Sequence, residues 1–149
     1  MCGIAGFIER DRERPADREA LVRMVEVLHH RGPDSGGAVV LGHVGLGMRR
    51  LAIIDPPGGF QPMSDESGDV WLVFNGEIYN FQEIARELEA AGETFRTRSD
   101  TEVLLRLFAR KGADCLADLN GMFAFAAWDR RRDLFLLARD RLGIKPLFY

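Results

Sequence analysis

Apolar and polar positions change period several times along the chain, and each change marks a predicted element. Cys2–Ile8 is a short apolar run that gives way to the charged "ERDRERP", so it reads as a buried strand followed by a loop. In "ADREALVRMVEVLHHRG", Leu21, Met24, Val25 and Leu28 recur at helical spacing, with Asp17 as N-cap and Gly32–Pro33 as the stop. "AVVLGHVGLGMRRLAII" predicts two strands turning at Gly42–His43, and "DPPGGFQP" is a loop by composition. "VWLVFNGEIY" is a strand running into Asn75–Gly76. Two helices follow: "FQEIARELEAAG", with Asn80 and Glu83 as a capping pair, and "DTEVLLRLFARKG", with Ser99 and Glu102. "GMFAFAAWD" and "DLFLLARD" predict two core strands joined by a solvated turn at Arg130–Arg131–Arg132. "GIKPLFY" reads as the start of another strand, so the fold is expected to continue past Tyr149. A block of helices between blocks of turn-linked strands predicts an α+β fold, with antiparallel sheet inside and helices outside.

Composition narrows this picture. The 149 residues suit one domain, and 46% hydrophobic residues are enough for a real core. A net charge of -3 argues against nucleic acid as a partner, because phosphate binding shows as a basic excess. The longest apolar run, Gly121–Trp128, is too short to span a bilayer, and no signal peptide is visible. Cys2 and Cys115 make no disulfide framework and suit a reducing compartment. The expectation is a cytoplasmic protein with no membrane partner. His29, His30 and His43 lack the spacing of a metal site.

Five stretches could carry chemistry. Cys2 is either a small buried hydrophobe or, once Met1 is removed, a residue with both a thiol and the free α-amine. An α-amine has a pKa of about 7.7–8.0, so roughly 10–20% is neutral at pH 7 and can act as a base. In "HHRGPD", the glycine and proline end a helix, which leaves Arg31 and Asp34 unexplained. In "GMRRLAIID", strand alternation sends Arg49 and Arg50 to opposite faces; on a strand buried on one side, the inward one needs a carboxylate or phosphate partner. "NGEIYN" is a hairpin signal by its Asn-Gly, or a pair of oxyanion donors at a strand end. "RSDTE" is a capping box that would also fix Asp100 for a ligand ammonium.

Taken in order and spacing, "MCGIAGF", "HRGPDSGG", "RRLAIID", "NGEIYN", "SDTEVLL", "LNGMFAFAAWD" and "LARDRLGIKPLFY" resemble class II glutamine amidotransferase domains. The likeness covers essentially the whole chain. "NGEIYN" points to the glutaminase domains of glutamine-hydrolysing asparagine synthetases. The resemblance implies an N-terminal nucleophile hydrolase fold, a four-layer αββα sandwich.

It also implies roles. Cys2 attacks the glutamine side-chain amide, and Asn75 with the Gly76 N–H forms the oxyanion hole. Arg50 binds the substrate α-carboxylate, which would place Arg50 inward and Arg49 outward. Asp100 takes the α-ammonium with Glu77 nearby, and Leu51 and Ile53 line the pocket. Arg31 supports Cys2. Apart from the resemblance, loop 56–62 follows Arg50 closely and is expected to act as a lid over bound glutamine. No metal or cofactor is implied for this chain. ATP and Mg would belong to a synthetase domain, marked by "SGGxDS", that is absent here and would be the missing partner. Residues 1–149 are thus expected to be a truncated amidotransferase domain, with homodimer formation left open. The competing expectations are a catalytically silent glutamine-binding fragment and a glutaminase serving another acceptor.

Overall fold

A computed structural model describes residues 1–52 and 58–149. Ile53, the end of the second predicted strand and the first part of the expected lid lie outside the described residues. The elements run β1 (Gly3–Ile8), α1 (Arg18–Val27), β2 (Ser35–Leu41), β3 (Val44–Arg50), β4 (Met63–Ser64), β5 (Val70–Ile78), α2 (Phe81–Ala90), α3 (Asp100–Lys111), β6 (Gly121–Asp129) and β7 (Leu134–Arg139). Short 3₁₀ turns follow α1 and α3. The strands form two antiparallel sheets, ordered β1-β3-β2 and β4-β5-β6-β7.

Side-chain alternation explains the layering. On β3, Val44, Leu46 and Met48 share one face and are fully buried, together with Val73, Ala126 and Trp128 of the second sheet. The other face of β3 carries Gly45 and Gly47. A Cβ at Gly47 would sit 2.4 Å from Val25 Cγ2, so the missing side chain lets α1 lie against the sheet. On β5, Val70, Leu72 and Phe74 face the opposite way from Val73, into a core closed by α2 and α3. The order is therefore helix, sheet, sheet, helices, as expected for an αββα sandwich.

Several local expectations are modified. Asp17 caps α1, its Oδ1 accepting from the amides of Glu19 and Ala20. Leu21 and Val25 are buried against the glycine face of β3, but Met24 is exposed, beside the stripe of α1 that meets that face. Asn80 does not cap α2 with its side chain. Its Nδ2 donates to the Asp118 carbonyl and its Oδ1 accepts from the Asn120 amide, tying α2 to the approach to β6. Ser99 does cap α3, through the Thr101 amide. Glu102 does not complete the capping box. It accepts from the amides of Arg96 and Thr97 and from the Thr97 hydroxyl, in the loop leading to the helix.

The arginine turn between β6 and β7 is a turn, but its side chains are engaged rather than merely solvated. Arg130 Nε donates to Asp69 at 2.9 Å, and Arg132 bonds the Asp129 carboxylate and the Ala109 carbonyl. The predicted strand in "GIKPLFY" does not form. Gly143 has φ 68°, the amides of Ile144 and Lys145 are taken by the Asp140 carboxylate, and Pro146 has no N–H for a ladder.

Candidate active site

The same alternation that builds the core between the sheets also fills its end. Arg50 follows Val44, Leu46 and Met48 on the inward face of β3. Asn75 follows Trp71 and Val73 on β5, and Cys2 precedes Ile4 on β1. These three side chains come from two sheets and line one cleft, with Leu51, Gly76, Glu77 and Asp100. Arg50 and Asn75 are each only 5% exposed, and Asp100 is 3% exposed.

Cys2 is held at both ends. Its thiol accepts from the Leu51 amide at 3.3 Å and lies 3.5 Å from the Leu51 carbonyl. Its own carbonyl accepts from Arg31 Nε at 3.1 Å. Asp34 braces the other side: its amide donates to the Arg50 carbonyl, and its carboxylate accepts from the Ala52 amide at 2.9 Å. Arg31 and Asp34, which the helix stop left unexplained, thus lie on either side of the Cys2–Leu51 contact. Arg49 points away from the cleft, donating to the Gly32 carbonyl at 2.9 Å and to the Pro33 carbonyl.

Gly76 admits no larger residue. A Cβ there would lie 2.2 Å from the Met122 carbonyl of the neighbouring strand. Asp100 Oδ2 accepts from the Ile78 amide at 3.1 Å, which places the carboxylate beside the β5 terminus. Burial pushes the Asp100 carboxyl above the usual carboxylate range, and the neighbouring Glu77 charge adds to this. Amide bonds from Ile78 and Thr101 oppose it without cancelling it. Such a group gains from a cation brought by a ligand.

Sequence reasoning missed part of the lining. Gln61, Thr101 and Lys145 also face the cleft. Gln61 bridges the sheet and α3: Nε2 donates to Thr101 Oγ1, and Oε1 accepts from the Phe74 amide at 2.6 Å. Gly59 packs on the guanidinium of Arg50, where a Cβ would come within 2.4 Å of its nitrogen. Of the expected lid, Gly59 and Gln61 are therefore against the site. The signal for Gln61 was its place in the loop just after Arg50. Lys145 lies in "LARDRLGIKPLFY", a family-like stretch whose apolar pattern predicts a strand and marks no side chain for the site.

The family model described as a glutamine amidotransferase domain matches residues 1–149. The chain belongs to the glutamine amidotransferase domain family. Curated relatives include two proteins of Bacillus subtilis, "Asparagine synthetase [glutamine-hydrolyzing] 3", 44% identical, and "1", 48% identical. Both matches cover all of this chain but only 25% and 24% of the relatives. The amidotransferase chain therefore spans about a quarter of the length of these relatives. Among solved structures, "Structure of the allosteric regulatory enzyme of purine biosynthesis" matches with TM-score 0.57 and 31% identity, over 72% of this chain and 25% of that one. The glutamine phosphoribosylpyrophosphate amidotransferase of B. subtilis matches with the same TM-score and 30% identity. Among the described residues of the amidotransferase domain, no helix is long and apolar enough to cross a membrane.

Proposed function

We infer that this domain hydrolyses the side-chain amide of glutamine to glutamate and ammonia through a thioester on Cys2. The observation that carries the reading is one cleft holding a thiol, a guanidinium, an asparagine amide and a buried carboxylate from four separate segments. With Met1 removed, the Cys2 α-amine takes the thiol proton. Sulfur attacks the amide carbon, and the carbonyl electron pair moves to oxygen, where Asn75 and the Gly76 N–H donate. Collapse of this intermediate breaks the C–N bond, and the leaving nitrogen departs as ammonia with the proton held by the amine. Water then attacks the thioester and sulfur leaves.

Substrate selection follows from charge. Arg50 takes the α-carboxylate, and its planar fork suits two parallel bonds. Asp100 takes the α-ammonium, with Glu77 beside it. Leu51 contributes its backbone, and Arg31 holds the Cys2 peptide. The relatives' names carry the reading one step further: the ammonia supplies asparagine synthesis. The family resemblance adds that aspartate, ATP and Mg would be used by a synthetase domain outside these 149 residues.

The deciding experiment uses protein that begins at Cys2, beside protein that retains Met1. The Cys2-initiated chain is expected to release glutamate from glutamine, and the Met1-retaining chain is not. Cys2→Ala should bind glutamine by calorimetry without turnover. Glutamate release from Cys2→Ala at the wild-type rate would refute the thioester route.

A further inference from the structure

Lys145 has no role in the chemistry above, yet it lies in the same cleft as Cys2, Asn75 and Gly76. It is only 8% exposed. Among the described residues its ammonium makes neither an ion pair nor a hydrogen bond; only its backbone amide is engaged. Its Nζ is not among the fully enclosed polar atoms that lack a partner, so the stem is buried while the ammonium keeps access to the solvent of the cleft. A cation held there without a partner is open to a negative charge that arises on the ligand.

The backbone places it deliberately. Asp140 is 4% exposed, and its carboxylate accepts from the amides of Phe123 at 3.1 Å, Ile144 at 2.9 Å and Lys145 at 3.0 Å. Burial pushes this carboxyl up, but the amide bonds outweigh it and hold it below the usual range, so the clamp stays charged. The Asp140 amide returns a bond to the Phe123 carbonyl at 2.8 Å. Phe123 is the cross-strand partner of Gly76. The Lys145 backbone is thereby anchored, through Asp140 and Phe123, to the glycine at the reacting end of the cleft.

The roles already assigned leave Lys145 over. The side chains lining the cleft include two cations, Arg50 and Lys145, and two carboxylates, Glu77 and Asp100, beside the terminal amine of the chain. In the reading above the substrate α-carboxylate takes Arg50 and the α-ammonium takes the carboxylates, so Lys145 is the side-chain cation that no group of bound glutamine uses. Hydrolysis adds a negative charge. When sulfur adds to the amide carbon, the carbonyl pair becomes an oxyanion. After ammonia leaves and water displaces sulfur, the product carries one carboxylate more than the substrate. We propose that Lys145 is the cation that faces this new negative charge, first on the oxyanion and then on the side-chain carboxylate of glutamate. This rests on the glutaminase reading above.

Lys145→Met and Lys145→Arg, compared with wild type in the chain beginning at Cys2, test it. The readouts are kcat, KM for glutamine and the competitive inhibition constant of L-glutamate. In Lys145→Met, kcat is expected to fall about tenfold or more and glutamate inhibition to weaken about tenfold, with KM within about twofold. Lys145→Arg should recover most of both. Unchanged kcat and glutamate inhibition in Lys145→Met, with wild type active, overturn the Lys145 assignment alone. So does equal damage to KM and thermal stability in both variants, which marks a packing role. A wild-type protein that binds glutamine but releases no glutamate overturns the glutaminase reading, and this assignment with it.

Discussion

Asp100 keeps a charge where burial opposes it. Its carboxyl is raised chiefly by desolvation, so the folded chain binds this proton more tightly than the unfolded chain does. The sign follows: Asp100 costs stability as pH rises from the ordinary carboxylate range through its folded value, and costs nothing below that range. Asp100→Asn should therefore raise the melting temperature at pH 7, and the gain should shrink as pH falls through the raised folded value and be gone below about 4. The same change should weaken glutamine binding, since an amide cannot offer the α-ammonium a charge. Melting curves at the two pH values, with calorimetry of glutamine, check both halves. A variant no more stable than wild type at pH 7 would contradict the first. At this scale the sequence told which residue types were present and, for Arg49 and Arg50, that they part to opposite faces. Which one faces inward follows from β3 presenting Gly45 and Gly47 to α1, which puts Arg50 with Leu46 and Met48.

Helix α3 illustrates what an element adds. Its period and its Ser99 cap were legible, but the role of Glu102 was not, because its partners lie in the preceding loop and on the next turn. Glu102 is 1% exposed and pairs with Arg106, which also meets Glu66. Burial pushes the Glu102 carboxyl up, but bonds from Thr97, Arg96 and Arg106 outweigh it, so the net shift is downward. A lowered carboxyl stabilises above its unfolded pKa and loses that contribution as pH falls through its folded value. Glu102→Ala should cost about 1–3 kcal/mol at neutral pH, since it leaves the Arg96 and Thr97 amides without their acceptor and takes one partner from Arg106, which keeps Glu66. The difference from wild type should narrow in acid, as Glu102 itself is protonated. Denaturant midpoints at pH 7 and at acid pH measure this. Asn80 makes the same point: its position at a helix start was readable, but the partners it chose, Asp118 and Asn120, are 38 and 40 residues away.

At the scale of the molecule, the site exists because two sheets meet. Cys2 and Arg50 come from the first, Asn75 and Gly76 from the second, and the apolar layer of Val44, Leu46, Met48, Val73, Ala126 and Trp128 sets the distance between them. Leu46 is fully buried in that layer. Leu46→Ala should cost about 2–5 kcal/mol by opening a cavity. If the layer sets the catalytic spacing, kcat should fall as well, although Leu46 is not among the residues lining the cleft. Denaturation and steady-state kinetics on the same sample test the link, and a destabilised variant with wild-type kcat would break it.

The sequence by itself determined the elements, their antiparallel α+β grouping, and the residue types at the site, because strand and helix periods, caps and turn residues are local properties of the chain. Its motifs also carried the family. Only the tertiary structure decided that "HRGPD" clamps Cys2 against Leu51, that Gln61 bridges β5 and α3, and that "GIKPLFY" is a clamped loop presenting Lys145. Each of these rests on contacts between segments far apart in the chain. Burial of apolar surface between sheets brings such segments together, and no local period records which of them will meet.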